Sequence, residues 1–140
     1  MKKRRMSPIG KARKSTEPIS KAAFGHTVAA GPFRSGAIVL VTLNNPREKF
    51  WGAVLALDPA GLSFQGLELS SFEDATNLVV SGEPFAAATL FFPMHRVERL
   101  ELDLPEGNIP SLSQRFTNRT GLEPAAALAR AAAASGGAEL

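Results

Sequence analysis

Short apolar runs separated by turn residues fill the middle of the chain, between residues 37 and 104. The runs are AIVLVTL, KFWGAVLALD, LSFQGLEL, AAATLFF and RLELDL, and they are rich in β-branched, leucine and aromatic residues. Runs of this length and composition are typical of β-strands, and the glycine, proline and asparagine residues between them supply turn chemistry. The pattern therefore predicts five short strands in a mainly β domain.

The first and last of these strands are expected to be buried differently. Nearly every residue of Ala37–Leu43 is apolar, which indicates burial on both faces. The last strand alternates, with leucines on one face and Arg99, Glu101 and Asp103 on the other, which indicates a half-buried edge strand. In the second strand, Gly52 is expected to mark a bulge or a sharp bend.

The segment SSFEDATNLVVSGEP, at about residues 70–84, is inserted between the third and fourth strands. Its serines can cap a helix with Glu73 and Asp74 in the first turn, whereas the run TNLVV favours a short strand. We expect a mixed loop with one helical turn, which the GEP sequence ends.

Residues 105–140 predict a helical extension. Ser111 and Gln114 have the spacing of a capping box, so a short helix is expected at about residues 112–118. An alanine-rich stretch at about residues 123–134 predicts a second helix. Because the second helix has few large apolar side chains, it is expected to dock weakly, to pair with a copy of itself or to extend into solvent.

Charge divides the chain into a basic arm and an acidic remainder. Residues 1–34 hold nine basic residues and one acidic residue, a net charge of +8, whereas residues 35–140 hold seven basic and twelve acidic residues, a net charge of −5. Residues 1–36 also contain three prolines and four glycines and show no apolar period, so a disordered, flexible arm is expected. The arm either keeps the protein soluble or contacts the phosphates of a nucleic acid.

The composition argues against several kinds of site. The chain has no cysteine, which excludes disulfides, thiolate metal sites and a cysteine nucleophile. The two histidines, His26 and His95, are far apart, and no phosphate-binding glycine loop occurs. We expect no enzyme, no metal and no cofactor. No run approaches the roughly twenty apolar residues of a membrane span, and no apolar stretch follows the basic N-terminus, so a cytoplasmic protein without membrane contact is predicted.

The run LVTLNNPREKFWGAVLALDPAGLSFQGLEL resembles the first motif of the Sm-like superfamily, and in particular of its bacterial Hfq branch. In that motif an apolar strand and a short loop lead to a glycine, here Gly52, and an aspartate follows six positions later, here Asp58. The run LFFPMHRVERLELD is similar to the second motif, with His95 at the histidine position of the Hfq branch. The resemblance covers about residues 37–104 and implies a small, strongly bent, five-stranded antiparallel barrel of the Sm/SH3-like kind.

The resemblance also implies a function and an assembly. It implies a protein that binds nucleic acid, most directly single-stranded RNA, and a homo-oligomeric ring in which the last strand pairs with the fourth strand of the next subunit. We expect the arm to supply affinity and the turns to supply local contacts. The predicted contact residues are Lys2, Lys3, Arg4, Arg5, Lys11, Arg13, Lys14, Asn44, Asn45, Arg47, Lys49, His95 and Arg96. For the last two, the alternative is a structural turn in which the histidine bonds to backbone and the arginine lies in solvent.

A second hypothesis is a protein-interaction or scaffolding barrel with no nucleic-acid role. The net charge of −5 outside the arm favours it, as do Gly61 and Leu62, which stand where an RNA-binding Sm protein usually has an asparagine. The adjacent aromatic residues Phe50 and Trp51 bear on both hypotheses, since neighbours on a strand face opposite sides. One is expected in the core, and the other is either exposed for nucleotide stacking or covered by the C-terminal helix.

Overall fold

The structure is a computed structural model that describes residues 31–137. Its elements are β1 (Ile38–Leu43), β2 (Glu48–Asp58), β3 (Gly61–Glu68), α1 (Phe72–Val80), β4 (Ala88–Pro93), β5 (Val97–Leu102), α2 (Leu112–Thr120) and α3 (Pro124–Gly137). The five predicted strands are confirmed, each close to its expected bounds. The expectation of a flexible arm concerns residues that lie almost wholly outside the described part of the chain.

The five strands form one antiparallel sheet in the order β4-β3-β2-β1-β5. Only the 3-10 turn Met94–Arg96 separates the two edge strands in sequence. The edges of a flat five-stranded sheet would be about 19 Å apart at the usual strand spacing, whereas four extended residues span at most about 14 Å. The sheet therefore curves. No β4–β5 pairing closes it within residues 31–137, so the predicted mainly β, five-stranded antiparallel fold is confirmed and its closure into a barrel is not.

Apolar side chains from all five strands lie together on one face of the sheet. The buried members of this inner cluster are Val39, Val41, Leu43, Phe50, Val54, Leu62, Phe64 and Phe92, and Leu100 and Leu102 pack against them. Phe92 and Leu100 come from opposite edges of the sheet, which agrees with a sheet that curves around this face. Phe33 packs against the same cluster, as predicted from its position beside the first strand.

Two glycines allow β2 and β3 to approach closely under the ring of Phe64. Gly52 pairs with Gly66, and a Cβ atom on Gly52 would lie 2.4 Å from the carbonyl oxygen of Gln65 and 2.7 Å from the Phe64 ring. Carbon atoms do not approach one another or an oxygen so closely, so glycine is required here. The bulge predicted at Gly52 lies instead after Val54, where the register with β3 shifts.

The three helices cover the opposite face of the sheet, around Trp51. The indole is 1% exposed, and its ring packs edge-on against Phe72 of α1 and at a tilt against Phe116 of α2, with centroid distances of 4.9 and 5.7 Å. Leu128 of α3 is fully buried in the same cluster. Of the alternatives for the second C-terminal helix, docking is therefore the one observed, because its alanines let it lie close to the sheet.

Both adjacent aromatic residues of β2, Phe50 and Trp51, are buried. Phe50 lies in the inner cluster and Trp51 in the cluster under the helices. Covering by the C-terminal helices is confirmed, and neither ring is exposed for nucleotide stacking.

Helix α1 is longer than the single turn expected in the insertion. It has nine residues, and Phe72, Ala75 and Thr76 are buried against the sheet. The expectation of a mixed loop was wrong because the helix is stabilised by packing on Trp51, a partner that the local sequence does not reveal. Its first turn carries Glu73 and Asp74 as predicted, and it ends before the GEP sequence.

The carboxylate of Asp103, directly after β5, joins the sheet to α2. It accepts hydrogen bonds from Trp51 Nε1 at 3.0 Å, from Leu112 N at 3.0 Å, and from both N and Oγ of Ser113 at 2.7 Å. Asp103 does lie on the same face as Glu101, as the alternation predicts. The expectation that it is exposed was wrong, because α2 covers it.

The predicted capping box completes the N-terminus of α2. Ser111 Oγ accepts from Gln114 N at 3.0 Å, and Gln114 Oε1 accepts from Ser111 N at 2.9 Å. The amides of Leu112 and Ser113 donate to Asp103, and the amide of Gln114 donates to Ser111. Each of the first three amides of the helix therefore has an acceptor. A helix start buried against a sheet needs such acceptors, since unpaired buried amides are costly.

We expect D103A to lower the free energy of unfolding by at least about 2 kcal/mol, because it leaves the buried Trp51 indole N–H and two half-buried amides of α2 without acceptors. Urea denaturation followed by circular dichroism measures the change. The matched control is E101A, on the same face two residues earlier but exposed, for which a change within about 0.5 kcal/mol is expected. Equal destabilisation by the two substitutions would show that the Asp103 contacts do not hold α2 to the sheet.

Candidate functional site

The β1–β2 turn and the turn between β4 and β5 meet at one end of the sheet. Asn44 N donates to the Arg96 carbonyl oxygen at 2.9 Å, although 52 residues separate them in sequence. This contact gathers six of the predicted nucleic-acid contacts into one region. We call it the turn end, and its residues are Asn44, Asn45, Arg47, Lys49, His95 and Arg96.

The Arg96 side chain fastens the two turns together. Its Nη1 donates to the carbonyl oxygens of Asn44 and Pro46, the latter at 2.9 Å, and its Nη2 pairs with Glu48 Oε1 at 2.9 Å. A guanidinium has five N–H donors in a rigid fork, and here three contacts within the fold engage it. The alternative of an arginine lying in solvent was wrong, since this side chain is half-buried and bonded to the opposite turn.

The imidazole of His95 and the amide of Asn45 face solvent at the turn end. His95 is exposed in the 3-10 turn and makes no hydrogen bond to another described residue, so the expected bond to backbone is not observed. Asn45 is exposed and adopts a left-handed φ of 51°, the geometry expected of asparagine in this turn. Both side chains can form hydrogen bonds with a ligand.

Carboxylates balance the cations of the turn end. Arg47 lies 3.6 Å from Glu98, and Lys49 is exposed beside a shallow cleft that Glu68 also lines. The three cations of the region are thus set among three glutamates, Glu48, Glu68 and Glu98, for a formal charge of zero. The turn end by itself does not concentrate positive charge for a phosphate backbone.

The other seven predicted contacts lie outside the described residues. They are Lys2, Lys3, Arg4, Arg5, Lys11, Arg13 and Lys14. The described chain begins at Gly31 and reaches β1 after a short turn, in which Gly36 N donates to Val54 O at 2.8 Å. The arm is therefore attached at the N-terminal end of β1, and the contact role of its cations stays a prediction.

Elsewhere on the described surface, arginines are also paired with carboxylates. Arg99 lies 2.9 Å from Glu101, and both Arg115 and Arg119 contact Glu73. The first pair lies within β5, and the two pairs of Glu73 link α1 to α2. The sequence gives the number of charges, but it does not reveal that Glu73 pairs with arginines more than forty positions away.

The β2–β3 turn contacts the same connector between β4 and β5. Asp58 Oδ1 accepts from Ala60 N at 2.9 Å, so this aspartate shapes the turn. The Ala60 carbonyl oxygen in turn accepts from Met94 N at 2.9 Å. The turn Met94–Arg96 is therefore held from both sides.

Two further observations concern residues 31–137. No group of three or more His, Asp or Glu side chains in this part of the chain is arranged to hold a metal ion. None of its helices is both long enough and apolar enough to cross a membrane.

Comparisons with protein-family models, with curated proteins and with solved structures find no match to this chain. The resemblance to the Sm-like superfamily therefore rests on the two sequence motifs and stays a prediction.

We expect R96K to lower the free energy of unfolding by about 1–3 kcal/mol, because an ammonium group cannot serve Asn44, Pro46 and Glu48 together. R99K is the control: Arg99 is an exposed arginine with a single glutamate partner, and such pairs contribute about 1 kcal/mol at most. Both variants keep the net charge. Thermal or urea unfolding compares them, and equal stability of the two would contradict the role of Arg96 as a fastener.

Proposed function

We propose that this chain is a module that binds single-stranded nucleic acid, most directly RNA, and that assembles with copies of itself through the free edges of its sheet. In this proposal the basic arm supplies most of the affinity. The turn end supplies the local contacts, and the neighbouring subunits repeat them.

The separation of charge carries the nucleic-acid proposal. Phosphate contacts by lysine and arginine dominate affinity for nucleic acids. The cations of the turn end are balanced by glutamates, whereas residues 1–34 carry a net charge of +8. The arm is therefore the region suited to the phosphates, and exposed Asn45 and His95 are suited to hydrogen bonding or stacking with unpaired bases.

The apolar composition of β4, one of the two sheet edges, supports the assembly. Natural edge strands are usually guarded by charged residues, bulges or a covering segment. Strand β4, with the sequence ATLFFP, has no charged residue, and Phe91 on it is 52% exposed. The other edge, β5, is also unpaired among the described residues. Pairing β4 of one copy with β5 of the next is a head-to-tail contact, which forms a ring when its rotation closes.

A second candidate is a scaffolding module that binds proteins through the same edges and has no nucleic-acid role. The ion-paired arginines, the neutral turn end and the net charge of −5 outside the arm favour it. In this case the arm serves solubility alone. The two candidates share the edges and differ in the task of the arm.

The arm cations provide a test of the nucleic-acid role. In the full chain, R4Q/R5Q is expected to weaken binding of a labelled oligouridylate and to reduce the slope of log affinity against log salt by about 0.7 for each phosphate that the arm no longer neutralises. R47Q/K49Q removes the same charge from the turn end and is expected to have a smaller effect. Fluorescence anisotropy between about 50 and 200 mM salt measures both. Absence of binding by the parent protein would leave the scaffolding candidate.

The β4 edge provides a test of assembly. F91K places a charge on the apolar edge and is expected to shift the mass in solution from the oligomer to the monomer, because an edge lysine opposes strand addition. The control is V80K, which substitutes an equally exposed apolar residue on α1, 53% exposed against 52%. Light scattering after gel filtration gives the masses. A parent protein that is monomeric at all concentrations would contradict edge-to-edge assembly.

A further inference from the structure

A groove of about 350 Å³ lies beside β5 and the segment that follows it. Its walls include Leu40 from β1, Glu101 from β5, and Leu104, Pro105 and Glu106 from the segment that follows. Leu40 and Glu101 are paired across the two strands, so they belong to the same face of the sheet. We call this feature the β5 groove.

The β5 groove combines carboxylates with exposed apolar side chains. Its exposed carboxylates are those of Glu101 and Glu106, because Asp103, which also lines it, is buried and bonded to Trp51 and α2. Glu106 forms no ion pair with another described residue, and the exposed pair of Glu101 with Arg99 contributes little and exchanges readily. Leu104 and Ile109, in and beside the groove, are 65% and 67% exposed. This chemistry suits a basic segment with apolar residues interspersed.

The N-terminal arm has that chemistry. Residues 1–30 hold eight basic residues and one acidic residue, a net charge of +7. Apolar residues alternate with the basic clusters along it, as in KKRRMSPIGKARK. The charges of arm and groove are therefore complementary, and both have apolar surface to bury.

The first strand after the arm also starts beside the groove. The carbonyl oxygen of Ile38, at the start of β1, accepts from Asp103 N at 3.0 Å, so the chain enters the sheet beside the end of β5. A segment of thirty residues is long enough to reach the groove, and a tether raises the effective concentration of the segment that it carries to about millimolar. Weak contacts suffice for binding at such a concentration.

We propose that residues 1–30 occupy the β5 groove when no nucleic acid is bound. The groove and the phosphates of a nucleic acid then compete for the same cations of the arm. The apparent affinity for nucleic acid is the intrinsic affinity multiplied by the fraction of molecules whose arm is free. A docked arm also covers the free edge of β5, so nucleic acid that withdraws the arm exposes the edge for pairing with β4 of another copy. The proposal that the arm docks follows from the chemistry of the groove and of the arm. Only the coupling of docking to nucleic-acid binding and to assembly rests on the proposed function.

A spin label in the arm tests docking directly. The chain has no cysteine, so S7C in the full-length protein accepts a single nitroxide. At low salt, without nucleic acid, we expect the label to broaden the amide signals of residues 101–109 more than those of residues 73–77 in α1. High salt or an added oligouridylate should remove the broadening. Broadening that is absent, or equal over both regions, would overturn the proposal.

A matched pair of charge variants separates docking from general electrostatics. E101Q/E106Q neutralises the groove, and D74N/E83Q makes the same charge change at exposed positions of α1 and the loop after it. The groove variant is expected to abolish the local broadening and to bind oligouridylate severalfold more tightly, whereas the control keeps the broadening. Equal increases in affinity for the two variants, with broadening retained in both, would overturn docking.

The two proposals fail separately in these experiments. Selective broadening is measured without nucleic acid, so it supports docking even where the parent protein binds no oligouridylate, and that outcome contradicts only the nucleic-acid function. Binding of oligouridylate without selective broadening contradicts only docking.

Discussion

The buried carboxylate of Asp103 is the contact on which the position of α2 against the sheet depends. An ionised carboxylate removed from water is costly unless hydrogen bonds replace its hydration. Here four donors do so, one from the indole of Trp51 and three from the start of α2. The same residue thus fixes the end of β5, the position of α2 and the wall of the β5 groove.

Curvature of the sheet is the second constraint, and it creates the turn end. The three-residue connection between the edge strands requires the sheet to curve, and the facing glycines Gly52 and Gly66 let β2 and β3 approach without side chains between them. Curvature brings the β4–β5 connection onto the β1–β2 turn, where Arg96 bonds to both. Arg96, which the sequence analysis predicts as a nucleic-acid contact, therefore stabilises the fold. Its neighbours Asn45 and His95 remain available to a ligand.

Local rules predicted the elements well because the elements depend on local chemistry. The capping box of Ser111 and Gln114 and the alternation from Arg99 to Leu102 are short-range patterns, and the structure confirms both. The alternation ends there, since Leu104 is 65% exposed. Features that escaped prediction depend on distant partners. The strand alternation predicted which face of the sheet carries Asp103, but it did not predict that α2 covers this residue. Likewise, no residue near Phe72 in the sequence indicates that Phe72 packs on Trp51. The same holds for Arg96, whose acceptors are about fifty residues away.

The choice of basic residue differs between the two parts of the chain, and the difference follows from geometry. Residues 1–30 contain five lysines and three arginines, whereas the rest contains Lys49 and seven arginines. A guanidinium forms fixed, directed bonds, and five of these arginines pair with glutamates in the fold. Lysine is a point charge on a flexible stem and suits contacts without fixed geometry. Under the proposed function, the part of the chain outside the arm, with its net charge of −5, repels a phosphate backbone over most of its surface. A nucleic-acid strand held by the arm therefore meets the least repulsion at the neutral turn end. Affinity and placement would then come from different parts of one short chain.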